Sequence, residues 1–216
     1  GNCTAVVSVT GPATADNCGV STVVNDYNGT SDASDTYDVG TTTITWTVTD
    51  NSGNSSTATQ NITVTDDENP SITAAADQTQ TADAGNCTAV VSVTGPATAD
   101  NCGVSTVVND YNGTSDASDT YDVGTTTITW TVTDNSGNSS TATQNITVTD
   151  NEAPNITAAA DQIQDANPTT CDAQVVVIGP STSDNCGVST VVNDYNNTSD
   201  ASDTYPVGTT TVTWTV

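Results

Sequence analysis

The chain has 216 residues, among which 26 Asp and Glu face no Lys, Arg or His, giving a formal net charge of −26. No internal ion pair is possible, so the negative charge must be offset by backbone amides, solvent cations or bound metal. Nucleic acid is excluded as a ligand, because its binding depends on Lys and Arg neutralising phosphates; docking on anionic membrane is disfavoured for the same reason, and direct membrane insertion is not expected in this window, which has no apolar stretch long enough to span a bilayer.

The sequence repeats. Gly1 to Asp66 recurs unchanged as Gly85 to Asp150, a period of 84 residues, and a third, diverged copy runs from near Cys171 to Val216. The acidic, proline-containing segments Asp66-Asp67-Glu68-Asn69-Pro70 and Asp150-Asn151-Glu152-Ala153-Pro154 interrupt the periodic pattern and read as linkers, since Pro holds the preceding residue extended. The expected organisation is therefore residues 1–66 as the C-terminal part of one repeat, 67–150 as a complete repeat, and 151–216 as the N-terminal part of the next. Secretion and anchoring signals are expected outside this window.

Within the complete repeat the spacing predicts short strands separated by turns, the pattern of an all-β immunoglobulin-like sandwich. Thr88 to Thr94 is the first clear strand. Where the second copy has Val90 the third has Gln174, while Ala89, Val91 and Val93 match Ala173, Val175 and Val177, so the latter set faces inward. Ser105 to Asp110 follows, closed by an Asn112-Gly113 turn whose Gly becomes Asn197 in the third copy. Both residue types tolerate positive φ. Thr125 to Thr133 alternates Ile128, Trp130 and Val132 with threonines, and Thr141 to Thr149 places Ala142, Ile146 and Val148 on one face. Low hydrophobicity with high net charge can signal disorder, but this clean alternation of β-branched residues argues for a fold.

Three Trp, six Tyr and no Phe make a thin apolar core, so covalent staples are expected. The cysteines form three pairs spaced alike, Cys3 and Cys18, Cys87 and Cys102, Cys171 and Cys186. No C-x-x-C motif accompanies them, which favours disulfides in an oxidising compartment. A two-residue turn at Thr94-Gly95 would set Cys87 across from Cys102, and a bridge within each repeat is the expected arrangement. If instead the strand after Cys87 runs the full height of the sandwich, the pairing becomes Cys3 with Cys102, across the repeat junction.

The stretches Asp184-Asn185-Cys186-Gly187, Tyr205-Pro206-Val207-Gly208 running on to Trp214-Thr215-Val216, Thr133-Asp134-Asn135-Ser136-Gly137-Asn138 and Val148-Thr149-Asp150-Asn151-Glu152-Ala153-Pro154 resemble the hyalin-repeat (HYR) domain. That family is an immunoglobulin-like module found in tandem in bacterial surface proteins and some animal extracellular proteins. The resemblance implies adhesion or cell-surface architecture and names no ligand.

In a sandwich of this kind the incoming linker and two loops would share one pole. Asp66, Asp67 and Glu68 would then approach Asp100, Asn101, Asp134 and Asn138, with Asp150, Glu152 and Asp184 in the corresponding places at the next junction. Hard oxygen donors drawn from several loops suit Ca²⁺, the cofactor expected here. The competing reading is that these are solvated turn-formers. Catalysis is not expected. There is no His or Lys to act as base, and the only two glutamates, Glu68 and Glu152, lie in linkers rather than as a glycosidase pair. The expected function is a structural repeat of an extracellular surface filament or adhesin stalk, its partners the neighbouring repeats and like chains in a fibre. The alternatives are a multivalent adhesin reading glycan, ice or a partner cell, for which the threonine face of the Trp130 strand is one candidate, and a self-assembling fibre.

Overall fold

The computed structural model describes residues 2–216, and every regular element in it is a β-strand. The first copy contributes β1 (Thr4–Val7), β2 (Val20–Asn25), β3 (Asp35–Asp38), β4 (Gly40–Asp50) and β5 (Ser55–Val64). The middle copy contributes β6 (Ser71–Thr73), β7 (Gln78–Thr81), β8 (Thr88–Val91), β9 (Ala97–Ala99), β10 (Val104–Asn109), β11 (Asp119–Asp122), β12 (Gly124–Asp134) and β13 (Ser139–Thr149). The third contributes β14 (Asn155–Thr157), β15 (Asp172–Val175), β16 (Ser181–Ser183), β17 (Val192–Asn193), β18 (Asp203–Pro206) and β19 (Trp214–Thr215). The chain is a tandem array of immunoglobulin-like β-sandwich repeats.

By internal contacts the chain divides into two compact units, one comprising residues up to 76 with 94–117 and 128–144, the other 77–93, 118–127 and 145–216. In the first unit, β2, β4 and β5 form an antiparallel sheet with Val23 opposite Val48 and Trp46 opposite Ala58. A second, two-stranded sheet sets β1 against β3 with Ala5 opposite Tyr37. Alternation of apolar and Thr positions puts one face of each strand inward, so Val9, Ala33, Tyr37, Ile44, Trp46 and Val64 form the buried core. The same unit pairs β10 with β12, Asn109 opposite Trp130, and β6 with β9, Ile72 opposite Thr98. Trp130, Ile128 and Val132 are fully buried there, as the alternation of the strand requires.

The second unit pairs β8 with β11, Ala89 opposite Tyr121, and β13 with β7 in parallel, Ile146 opposite Gln78. Ala89, Val91 and Val93 are buried while Val90 is exposed, which is the facing that the substitution at Gln174 implies. The third copy repeats the pattern with β15 against β18, Ala173 opposite Tyr205, β14 against β16 and β17 against β19. Asn197 adopts φ 60°, as Gly113 does at 74°, so the exchange of Gly for Asn keeps the left-handed turn.

Buried polar side chains complete the packing. Asn109 donates through Nδ2 to the Thr114 carbonyl at 2.7 Å and to Asn112 Oδ1 at 2.9 Å, and its Oδ1 accepts the Asn112 N–H. A buried amide satisfied in this way adds geometric specificity, and Asn25 and Asn193 sit in matching turns. The Trp130 indole N–H donates to Gln144 Oε1 at 3.2 Å, while Gln144 Nε2 donates to the Ala76 carbonyl at 3.0 Å.

The disulfides correct the expected bridge within each repeat. Cys3 bonds Cys102 and Cys87 bonds Cys186, each across a sequence separation of 99. The reason lies in strand pairing. Residues after Cys87 pair with β11, and β9, just before Cys102, pairs with β6, so no hairpin forms at Thr94-Gly95. Gly95 instead packs close to the Trp130 ring, 3.8 Å from the place a Cβ would occupy. Each separation of 99 is one period plus the spacing of the two cysteines, so the first cysteine of one repeat bonds the second cysteine of the next.

Two outcomes follow for stability. Trp130→Ala is expected to cost about 3–5 kcal/mol, the range for deleting a buried aromatic, read as a lower urea midpoint at unchanged m-value. Removing one bridge by Cys3→Ser is expected to cost on the order of 2–5 kcal/mol, because the loop released is long, read by the same titration under non-reducing conditions.

Candidate metal site

Three segments place the acids. Asp66 ends the strand-to-linker passage after β5, Asp100 follows β9, and Asp134 ends β12. A carboxylate oxygen from each of the three lies within 4.8 Å of the others. All three belong to the first unit, and Asp134 is only 2% exposed.

The loop after β12 folds because Asp134 caps it. Its Oδ1 accepts the backbone N–H of Ser136 at 2.9 Å and of Asn138 at 2.8 Å, and its Oδ2 accepts Asn138 Nδ2 at 2.8 Å. Asn138 Nδ2 also donates to the Asp66 carbonyl at 3.2 Å, fastening the linker to this loop. Asn138 therefore positions two of the three acids, and its amide nitrogen is spent on them. Burial acts to raise the Asp134 pKa, but the bonds from the Asn138 side chain and from the backbone of Asn138, Gly137 and Ser136 outweigh it and hold the carboxyl below the usual 3.8.

Asp100 uses Oδ2 to accept the Cys102 N–H at 2.7 Å. Its other oxygen, Oδ1, is buried without a hydrogen-bond partner, as are Asp66 Oδ2 and Asn101 Oδ1. Buried polar atoms are almost always paired, and a buried carboxylate oxygen left bare is costly. With three carboxylates converging and no cationic side chain anywhere in the chain, the partner that fits these atoms is a hard metal ion. Calcium accepts six to eight oxygens in adaptable geometry, so the three acids would supply part of its shell.

The remaining candidate residues lie elsewhere. Asp67 and Glu68 are exposed, and the Glu68 N–H donates to Asp66 Oδ1 at 3.2 Å, so the linker turns back on its own first acid. At the next junction Asp150 accepts the Glu152 N–H at 3.0 Å, Glu152 accepts the Gly85 N–H at 3.0 Å, and Asp184 accepts the Cys186 N–H at 2.8 Å. Asn185 Oδ1 is a buried orphan there, like Asn101 Oδ1. Sequence reasoning missed the positioning work of Asn138 and the tie between Asp100 and Cys102. The one signal for the latter was adjacency in the Asp-Asn-Cys-Gly motif, present in all three copies. Among the described residues no helix is long and apolar enough to cross a membrane.

Tandem sandwiches with their polar chemistry gathered on the linker-side loops define an immunoglobulin-like repeat module. The HYR domain family matches residues 1–64 and 65–148, and the chain belongs to that family. It is 31% identical to a hyalin of Lytechinus variegatus over 208 residues, which is 94% of this chain and 37% of the relative. It is also 31% identical to a hyalin of Strongylocentrotus purpuratus over 186 residues, 83% of this chain and 15% of that relative. The chain thus spans well under half the length of the curated relatives it matches.

The depressed Asp134 pKa sets a pH dependence. The folded state favours the ionised carboxylate more than the unfolded chain does, so the stabilisation is complete above the ordinary value of 3.8 and is lost as pH falls through the lower folded value. The thermal midpoint is expected to drop on acidification through that window, and Asp134→Asn is expected to flatten the drop. Comparing the two chains at each pH cancels the easing of overall self-repulsion.

Proposed function

We propose that this chain is a non-catalytic structural repeat of an extracellular surface filament or adhesive layer, in which disulfides between successive repeats and Ca²⁺ on the acidic loops turn a string of sandwiches into a stiffened array. The observation that carries this reading is the bonding of each repeat to the next at the same separation of 99 residues. A bridge within a repeat would stabilise one domain, whereas a bridge between repeats restrains their joint. Disulfides persist outside the cytosol, which supports an extracellular location, and membership of the HYR family is in keeping with surface architecture.

Near-identical copies also favour a spacing role. The first two copies agree at every position from Gly1 to Asp66 and Gly85 to Asp150, so each adds the same length and the same joint. Calcium supplies what the side chains cannot. An ion held by Asp66, Asp100 and Asp134 fastens the linker to two loops of the following repeat and neutralises charge that no Lys or Arg can meet.

Calorimetric titration of the disulfide-intact chain with CaCl₂ is expected to give saturable heat, and saturating Ca²⁺ to raise the thermal midpoint. At a hundredfold excess over Kd the gain is about 2.7 kcal/mol. Chelator reverses the gain, and Asp66→Asn removes both effects while leaving the metal-free midpoint near that of the parent. Absence of heat together with an unchanged midpoint overturns the calcium reading. Cell-binding and glycan-binding assays on the same chain address the adhesive role separately, with specific, saturable capture favouring a ligand-reading adhesin over a spacer.

A further inference from the structure

Cys102 is bonded to the segments of all three clustered acids. Its N–H donates to Asp100 Oδ2 at 2.7 Å, its carbonyl accepts Nδ2 of Asn135, the neighbour of Asp134, at 2.9 Å, and its sulfur bonds Cys3. Cys3 leads into β1, whose Ala5 and Val7 pack against the core of the first repeat, and Asp66 lies just beyond Val64 of that same core. The bridge therefore joins the body that carries Asp66 to the loop that carries Asp100. We propose that the Cys3–Cys102 bridge sets the Ca²⁺ affinity of this site, which binds tightly with the bridge closed and weakly once it is reduced.

The coupling rests on the reading of Asp66, Asp100 and Asp134 as a Ca²⁺ site, and the Asn101 side chain links their loop to the sulfur. Asn101 Nδ2 donates to Cys102 Sγ at 3.6 Å, while its Oδ1 is buried without a partner. This bare amide oxygen belongs to no acid, so it marks a missing partner at the loop independently of the carboxylates. Asn185 repeats the arrangement, with Nδ2 at 3.6 Å from Cys186 Sγ and a buried, unpaired Oδ1.

The Asp100 bond itself is local. Cys18 has a free thiol, and its N–H still donates to Asp16 at 2.7 Å. Reduction therefore leaves Asp100 on the Cys102 N–H and releases the first repeat with its Asp66, which is then held by the linker and by the Asn138 bond to its carbonyl at 3.2 Å. An ion that draws on all three acids must order that joint itself, and the cost of ordering is subtracted from its affinity. By reciprocity, the bound ion favours the closed bridge by the same factor that the bridge adds to the affinity.

The redox step is thiol exchange with a monothiol such as glutathione. One glutathione thiolate attacks a sulfur of the bridge, forming a mixed disulfide and expelling the other cysteine as a thiolate that takes up a proton. A second glutathione thiolate attacks the glutathione sulfur of the mixed disulfide and frees the remaining cysteine. One protein disulfide becomes two thiols, and two glutathiones become one glutathione disulfide. Cys3 and Cys102 are half-buried, which leaves the bridge within reach of a small thiol.

The test uses the intact 216-residue chain with the exposed Cys18 and Cys171 alkylated. Calorimetric titration with CaCl₂ is expected to give a Kd about tenfold weaker when Cys3→Ala is combined with Cys102→Ala than in the parent. Combining Cys87→Ala with Cys186→Ala is expected to leave Kd unchanged, because among the described residues three acids meet only at the first joint. A second measurement needs no variant. In glutathione redox buffers of fixed ionic strength, saturating Ca²⁺ is expected to raise the ratio of closed to open Cys3–Cys102 bridge about tenfold, read by alkylation and peptide mapping with an Asp-specific protease, and to leave Cys87–Cys186 unmoved. An equal Kd in parent and variant, or a ratio that ignores Ca²⁺ or shifts alike at both bridges, overturns the coupling and leaves the calcium site standing. No saturable heat in the parent overturns the calcium reading and the coupling with it.

Discussion

Negative charge without a single positive side chain is the constraint from which the rest of this structure follows. Each carboxylate has to be met by a backbone N–H, a neutral side chain, water or an ion. Along the chain the backbone answers repeatedly. Asp26 accepts Thr45 N–H at 2.7 Å, Asp50 accepts Ser52 and Asn54 N–H at 2.8 Å each, and Asp194 accepts Thr213 N–H at 2.7 Å. These backbone bonds lead in lowering the pKa of Asp26 and Asp194, while for Asp50 the Asn54 side-chain amide, donating to Oδ2 at 2.7 Å, leads and the backbone bonds add to it; the same bonds shape the turns, so the residues that carry the charge fix the loop conformations. Among the described residues, carboxylate oxygens are left buried and bare only where Asp66 and Asp100 converge on Asp134.

The thin core imposes the second constraint. The first two copies each bury one indole, tied to the glutamine opposite it, Trp46 to Gln60 at 3.0 Å and Trp130 to Gln144 at 3.2 Å. A Tyr adds to this, buried Tyr37 donating its hydroxyl to the Ala33 carbonyl at 2.5 Å and half-buried Tyr205 to that of Ala201 at 2.6 Å. Small domains with little apolar volume need cross-links, and here the cross-links run between repeats. The stability of one repeat is thereby coupled to that of its neighbour, as in other linear arrays where nearest-neighbour terms dominate.

Much of this was legible in the sequence because strand alternation is a strictly local signal. Ile128, Trp130 and Val132 had to share a face, and the exchange of Val90 for Gln174 identified the outward one. The disulfide connectivity was less legible because it depends on which strands pair. Nothing near Thr94-Gly95 distinguishes a hairpin from a chain that crosses to β6, since both accept the same turn residues. The short strands β6, β7 and β9 escaped for a related reason. Each is three or four residues long, too short for period-two alternation to stand out, and β7 pairs in parallel with a strand distant in sequence. In the acid cluster, the pole could be read from loop order. The separation of Asp66 from its neighbours Asp67 and Glu68 could not, because it rests on one bond from Asn138 to the Asp66 carbonyl.

The Asp-Asn-Cys-Gly motif joins the two constraints in one loop. Asp100 spends one oxygen on the Cys102 N–H and presents the other to Asp66 and Asp134, while Cys102 carries the bond to Cys3. Gly103 follows at φ 94°, and a Cβ there would lie 2.9 Å from Asn135 Nδ2, the same nitrogen that donates to the Cys102 carbonyl. Asp100, Cys102 and Gly103 therefore have separate duties that no exchange among them would preserve: a short acid, a bridging sulfur, and a residue without a side chain. Cross-repeat bond and acidic cluster are held by one backbone segment, so any displacement of the cysteine moves the carboxylate beside it.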